Sequence, residues 1–505
     1  MPTAFGDFRN NLKQLPRSLW RSVRRRGKAT SDRARAQAVF SNLFLHVHSV
    51  RVHRHSLKPG YTMGLGLLTV AFLAILTVTG VLLMVYYKPT PELAYASVKD
   101  IHFVVPSGRL IRNLHRWAAH GMVIMVFLHM ARVFYTASYR PPREFNWFVG
   151  ILLLALTLAL SFTGYLLPWD QLAYWAITIG VNIASSPREL TDGLGLTPYF
   201  DPGGLMKGLL LGANAVGTEA LIRFHLLHVM VLPLLLFGLL GVHFWRIRKD
   251  GGLSRPASEE LAPDQQAFAQ GSSKTYGLMA IVRGTSPAVG RGPQNTVNAW
   301  PSLFIVEMAV LMMGTALTLA LSLWLDAPLK EAANPAVPEN PAKAPWYFLG
   351  LQELVSYSAF MGGIAVPTIA LLGLILIPYL DREGGDVGVW FSGRRGRRVA
   401  AWSLLFSSLS VVAVLAFLIR YGWLRQWFPD IPQLVITFVN PGTLFTLLFV
   451  LWSLWIMRRF NSTRLAAIAL FTCFLVGYTV LTYVGTVHRG PNWGFYWSQA
   501  DWPVH

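Results

Sequence analysis

Residues 112–132, RNLHRWAAHGMVIMVFLHMAR, decide how the rest of the chain is read. The stretch is largely apolar and carries a histidine near each end, His115 and His129, with Arg112 and Arg132 just outside them. Fourteen residues make about 3.9 helical turns, so both imidazoles leave one helix face, roughly 21 Å apart along the axis. That is most of the depth of a bilayer's hydrocarbon core, about 30 Å. A second stretch answers it: residues 223–249, RFHLLHVMVLPLLLFGLLGVHFWRIRK, hold His228 and His243, 15 residues apart. This is about 4.2 turns and again nearly one face. Two such helices can clamp two flat ligands one above the other. Low-spin haem iron takes an axial imidazole from each side, so the pattern predicts two bis-histidine haems. One histidine on an apolar helix is more often a hydrogen-bonded packing residue. Four at matched depths are not, because ionisable groups inside a membrane are costly and usually functional. His120 and His225 have no partner at either interval and are read as packing residues; His120 lies about 140° round the helix from His115.

The whole chain has membrane composition. Its 505 residues are 53% hydrophobic and 13% charged, with mean hydropathy +0.43, outside the range of soluble domains. Charge-free runs cover residues 61–87, 117–131, 145–169, 224–245, 308–325, 354–380, 399–419, 431–457 and 465–487. Most are long enough to span a bilayer, and the shorter ones borrow flanking residues. The predicted fold is therefore all-α, a polytopic transmembrane bundle of about nine spans, the ninth resting on the weakest signal. Backbone groups in lipid must be satisfied internally, which requires helices.

The net charge of +20 raises nucleic acid as a partner, but its distribution argues against one. Basic residues crowd the segment before the first span (Arg24, Arg25, Arg26, Arg33, Arg35, Arg51, Arg54) and every second loop after it. Those loops carry Arg140 and Arg143; Arg246, Arg248 and Lys249; Arg394, Arg395, Arg397 and Arg398; and Arg458, Arg459 and Arg464. This alternation is the positive-inside pattern and puts the N-terminus in the cytoplasm. The basic balance then reports topology and contact with anionic lipid, not nucleic acid. Residues 1–36 are arginine-rich and acid-poor, which also fits a transit peptide; a cytoplasmic surface segment is the preferred reading. Cys473 is the single cysteine, so this chain holds no iron–sulfur cluster, no internal disulfide and no CxxCH haem attachment.

Glycines repeat the histidine interval. Gly66 and Gly80 in the first span, and Gly150 and Gly164 in the third, are each 14 residues apart. Any one of them is ordinarily a helix-packing residue, but at two matched depths they are expected to make room for two macrocycles. Arg112, Arg132 and Arg223 flank the histidines; they read as snorkelling residues or as partners for haem propionates. A long outer loop, 170–220, follows the third span, and a Gly/Ser/Pro-rich linker, 250–298, follows the fourth. A proline-rich outer loop, 326–353, contains AANPAVPENPAKAPWYFLGLQE. The expected organisation is a basic segment 1–60, a four-helix di-haem bundle 61–249, the linker 250–298, C-terminal helices 299–487 and a tail 488–505.

The segments GRLIRNLHRW, LHMARVFY, SFTGYLLPWDQLAYWA, RFHLLHVMVLP, VHFWRIRK and NPAKAPWYF, taken together, resemble cytochrome b of the quinol:cytochrome c oxidoreductases. The likeness runs from about residue 61 to about 382. The 15-residue histidine interval and the wording LPWDQ look more like the chloroplast-type form, here with its haem-bundle and subunit-IV-like parts in one chain. The resemblance implies that His115 with His228 hold the outer of two non-covalent b-type haems, and His129 with His243 the cytoplasmic-side one. It implies quinol oxidation outside, between the corner holding Tyr165 and Asp170 and the motif Pro345-Trp346-Tyr347. One electron would leave to a Rieske iron–sulfur protein and then a c-type cytochrome. The other would cross both haems to a cytoplasmic-side quinone site, with coupled proton translocation. It further implies a homodimer within a multi-subunit complex of a bacterial cytoplasmic membrane.

Three departures stand out. The cysteine that attaches an extra haem in chloroplast-type chains is Gly64 here, which excludes a thioether-linked haem. The family's Pro-Glu-Trp-Tyr reads Ala344-Pro345-Trp346-Tyr347, without the glutamate. Glu353, eight residues on, is the expected replacement base, with helix capping as its other reading and Asp170 as a second candidate. Five spans follow the linker, leaving the last without a role. The competing reading is a two-haem anchor wiring another redox enzyme to the quinone pool without bifurcation; it does not account for the PWY loop. A transporter with buried histidines accounts for neither the pairing nor the glycines.

Overall fold

A computed structural model describes residues 30–41, 48–256, 296–381, 383 and 387–503. The arginines at 24–26 and most of the linker, 257–295, lie outside the described residues. The described chain divides into two compact units. In the smaller, strand β1 (Arg51–His53) pairs antiparallel with β2 (Thr296–Asn298), Val52 opposite Val297. His48 Nε2 lies 3.2 Å from a Glu307 oxygen in the same unit. The strand pairing groups the segment before the first span with the end of the linker, a division different from the expected one.

The spanning helices are α1 (Leu65–Tyr86), α2 (Gly108–Tyr135), α3 (Glu144–Tyr165), α4 (Thr218–Lys249), α5 (Phe304–Trp324), α6 (Met361–Leu380), α7 (Arg394–Tyr421), α8 (Pro441–Phe460) and α9 (Thr463–Val487). Among the described residues, nine helices are long and apolar enough to cross a membrane, the number expected from the charge-free runs. The protein is an integral, multi-pass, all-α membrane protein. Local chemistry sets several helix ends. Asn440 and Ser462 cap α8 and α9, their side chains accepting from the Thr443 and Leu465 amides. Asn461, at φ 48°, turns α8 sharply into α9, a left-handed conformation that asparagine tolerates.

α9, the span with the weakest sequence support, is the most buried of the nine. Phe471 stacks on Phe134 of α2 with ring centroids 4.0 Å apart, and Cys473 is free and buried against α7. Each end of α9 delivers an arginine into the protein. At one end Arg464 donates to the Tyr139 hydroxyl at 2.9 Å and to the Phe134 and Tyr135 carbonyls. Tyr139 in turn donates to Asp381, which also takes a two-point contact from Arg140, 3.2 and 2.7 Å. At the other end, just past α9, Arg489 forms a two-point pair with Glu353.

α4 is not a uniform helix. A π turn at Leu227–Val231 precedes Pro233, which lacks the amide needed for the regular ladder. A π turn closes i to i+5 and takes up one extra residue. The 15-residue interval on α4 is thereby matched to the 14-residue interval on the regular α2.

Candidate haem and quinol sites

The two histidine intervals meet across the bundle. The rings of His115 and His228 have centroids 6.3 Å apart, and those of His129 and His243 are 6.5 Å apart, both pairs at 74°. An imidazole nitrogen bonds a metal at about 2.0–2.1 Å and lies about 1.1 Å from its ring centre, so two imidazoles on one iron put their centroids about 6.3 Å apart. Each pair offers two donors. Among the described residues no group of three or more His, Cys, Asp or Glu could hold an ion. Two axial donors suit an iron whose remaining ligands come from a macrocycle. The residues present therefore fit haem.

The glycines lie against the imidazoles, one to each. A Cβ at Gly66 would sit 3.1 Å from His129 Cε1, at Gly80 3.3 Å from His115 Cε1, at Gly150 3.9 Å from His243 Cε1, and at Gly164 2.5 Å from His228 Cε1. The room they make is for the ligand rings; the sequence reading had assigned it to the macrocycles. Close approach also brings the second ring nitrogen to backbone. His115 Nδ1 lies 2.9 Å from Thr79 Oγ1 and faces the Leu76 carbonyl, and His228 Nδ1 lies 3.2 Å from Thr163 Oγ1 and faces the Leu160 carbonyl. His243 lies toward the carbonyl of Asn146, but its Nδ1, like that of His129, makes no hydrogen bond among the described residues. In each case the carbonyl belongs to the residue four before the matching glycine. A proton held on Nδ1 by such a carbonyl leaves Nε2 as the metal donor. We expect Gly164→Ala to lose the outer haem, because the added methyl overlaps His228, while Gly150→Ala, at ordinary contact distance, retains both. Haem content per chain by pyridine haemochrome checks this; equal haem loss in the two variants contradicts it.

Gly64 is in the left-handed region, φ 62°, with Val310 packed 2.9 Å from where a Cβ would lie. No side chain fits there without rearrangement. The flanking arginines differ from one another. Arg132 is buried near the C-terminal end of α2. Arg112 donates to the Ala327 and Pro328 carbonyls at 2.8 and 2.7 Å, and Arg223 to the Gly208 and Leu209 carbonyls. Two of the three expected propionate partners are thus fastened to outer-loop backbone.

The outer loops are tied to α2 and to the LPWDQ corner. Arg109 grips Asp326 at 2.6 and 2.8 Å, and Asn113 adds a bond at 2.9 Å. These hydrogen bonds, Arg109 first, hold the Asp326 carboxyl down to about 2. The clamp is therefore charged across the physiological range and is lost only as pH falls through that value. Asp170 caps the helix Gln171–Ser185 through the Ala173 amide and takes the Lys330 amide on its other oxygen. Burial lifts its pKa, and the two amides pull the other way. Gln352 clamps the approach to the PWY motif, accepting from the Ala344 amide at 2.8 Å and donating to the Ala342 carbonyl at 2.7 Å.

Pro345 caps the helix Trp346–Val355. Trp346 donates its indole N–H to His120 Nδ1 at 2.9 Å, and the Tyr347 ring lies 6.0 Å from the His120 ring. Tyr347 is buried, and its carbonyl accepts from Tyr478 of α9. Tyr165 lies under the Arg116 guanidinium, 5.8 Å from the ring centre. Phe348 meets Phe162 of α3 edge-on.

Glu353 corrects the expectation attached to it. It is neither a solvent-facing cap nor an open carboxylate. It is fully buried, paired with Arg489, and accepts from the Trp493 indole at 3.1 Å. Burial depresses the Arg489 pKa, but the hydrogen bond and charge of Glu353 outweigh it and raise it overall. Both of its oxygens are taken up by Arg489 and Trp493, which makes it one half of a structural ion pair. The sequence reading did not foresee Arg489, since it lies 136 residues from its partner. It read His120 as a packing residue turned about 140° from His115, without the Trp346 partner that the structure gives it.

Comparison with known proteins matches this arrangement. The family model Cytochrome b/b6/petB matches residues 53–251. Cytochrome b6 of Heliobacterium mobile is 48% identical over 200 residues, 40% of this chain and 87% of that one. The cytochrome bc complex cytochrome b subunit of Chlorobaculum thiosulfatiphilum is 32% identical over 346 residues, 66% of this chain and 69% of that one. A chain of a solved hyperthermophilic respiratory Complex III shares the fold, with TM-score 0.56 and 24% identity over 84% of this chain and 91% of that one. On sequence, fold and the facing histidines together, the chain belongs to the cytochrome b/b6 family of haem-binding electron-transport proteins.

Proposed function

We propose that this chain is the cytochrome b subunit of a quinol:cytochrome c oxidoreductase. It oxidises quinol at the outer face, giving one electron to a Rieske protein and on to a c-type cytochrome, and the other across the bilayer to a quinone near the cytoplasm. His115 with His228 hold the outer b-type haem, and His129 with His243 the inner one. Bound there, the haems supply one-electron redox chemistry at two depths. The observation that carries this reading is the pair of ring separations, 6.3 and 6.5 Å. The kinship with a bc complex subunit over 66% of this chain supports the assembly with partners. Protons are released outside and taken up inside, in a bacterial cytoplasmic membrane with the N-terminus in the cytoplasm.

The chain's own residues make the outer pocket. Phe162 and Phe348 give it an apolar wall that excludes water. Arg116 stands over Tyr165, and Gln352 and Asp170 fix the two loops between which quinol enters. Tyr347 is held by its carbonyl to α9. Lacking any iron–sulfur ligand set of its own, the chain needs a partner to take the first electron.

The test is purification of the intact complex followed by quinol-dependent reduction of cytochrome c. Two b-type components, a co-purifying Rieske protein, a dimeric mass and inhibitor-sensitive turnover are expected. A purified single chain that reduces cytochrome c unaided sinks the partner assignment. A two-haem complex carrying a dehydrogenase and no Rieske protein returns the chain to the anchor reading.

A further inference from the structure

The PWY motif lacks its carboxylate, yet quinol oxidation releases protons that need an acceptor within hydrogen-bond reach. Among the described residues, one basic side chain is hydrogen-bonded to the motif itself. Pro345 has no titratable side chain. Glu353 is held by Arg489 and Trp493. Asp170 caps the helix Gln171–Ser185 and holds the Lys330 amide, so protonating it would loosen both loops. His120 remains, on α2, with its Nδ1 bonded to the Trp346 indole at 2.9 Å. An indole N–H only donates, so Nδ1 is an acceptor and the proton of the neutral ring sits on Nε2.

Resting on the function proposed above, we infer that His120 is the proton acceptor for quinol, standing in for the missing glutamate. A quinol hydroxyl at this corner competes with the indole for the Nδ1 lone pair. As quinol is oxidised one of its two O–H bonds breaks, an N–H bond forms on Nδ1 and the bonding pair stays with oxygen; the second hydroxyl passes its proton to water at the mouth of the pocket. The two electrons leave singly, to the iron–sulfur partner and to the b-type redox chain. The imidazolium then gives up its Nε2 proton, so the proton enters at one nitrogen and leaves from the other. The groups facing His120 are Arg116 and Trp117 from α2 and Trp346 and Tyr347 from the PWY helix. Arg116 is the one permanent charge among them.

The experiment is His120→Asn in the full complex, which keeps an acceptor for Trp346 and removes the base; His120→Gln serves if the first variant fails to assemble. Turnover of quinol should fall at least tenfold with KM within about twofold, and the acid-side rise of the pH profile should flatten. Both b-type spectral components and binding of a quinol-site inhibitor should persist. Wild-type turnover with an unchanged pH profile in the variant overturns the assignment, leaving His120 as a clamp for Trp346. Failure of the broader reading looks different: the unmodified complex would then not oxidise quinol at all.

Discussion

Replacing His129 or His243 with leucine is expected to erase the same spectral component, cutting haem content from two per chain to one. The two rings face each other at 6.5 Å, so either change leaves one imidazole opposite an aliphatic side chain. His115 and His228 are bonded to other threonines, Thr79 and Thr163, and their component should survive. Electron delivery to the cytoplasmic side should be abolished, while the first reduction of the outer component by quinol persists. Redox titration of the b-type absorbance in each variant checks the pairing. Loss of different components in the two variants would show that these histidines do not share a ligand.

The second large effect is on stability. Asp381 is 1% exposed and meets Arg140, Tyr139 and Arg464, whose side chains are nearly as buried. Among the described residues Asp381 is the carboxylate that pairs with both Arg140 and Arg464, so removing its charge leaves two buried guanidinium groups without that counter-charge. Removing one partner of a buried ion pair costs about 3–5 kcal/mol, so Asp381→Asn should sharply lower the midpoint for unfolding of the solubilised protein. Asp326→Asn is the comparison. Its ion pair with Arg109 is exposed, and breaking an exposed pair leaves stability nearly unchanged. Equal destabilisation by the two substitutions would refute the difference in burial as its cause.

The spanning helices could be read from sequence because the bilayer imposes one rule on every residue of a span. Hydropathy and helix period therefore carry the fold without knowledge of partners. The histidine positions were legible for the same reason: 14 residues on a regular helix fix a face and a depth. The match of 14 with 15 was not, because the π turn that absorbs the difference depends on Pro233 and on local ladder geometry. The surroundings of Glu353 were beyond reach altogether. A carboxylate at the head of an apolar segment reads as a cap or a base, and which neighbour neutralises it is decided by tertiary packing. The same holds for His120, whose partner is 226 residues away, and for α9, whose hydropathy says that it spans and nothing about what it touches.

The two arginines flanking α9 have a bearing on biogenesis. Chains are made from the N-terminus onward, so Arg464 and Arg489 leave the ribosome after all four haem-ligating histidines, the PWY motif, Asp381 and Glu353. Until they arrive, among the described residues Asp381 has only Arg140 for a charged partner and Glu353 has none. The helix Trp346–Val355 and the C-terminal end of α2 thus stay unlatched through most of translation. A rigid macrocycle entering between α2 and α4 in that interval would do so before the last helix closes both ends of the bundle.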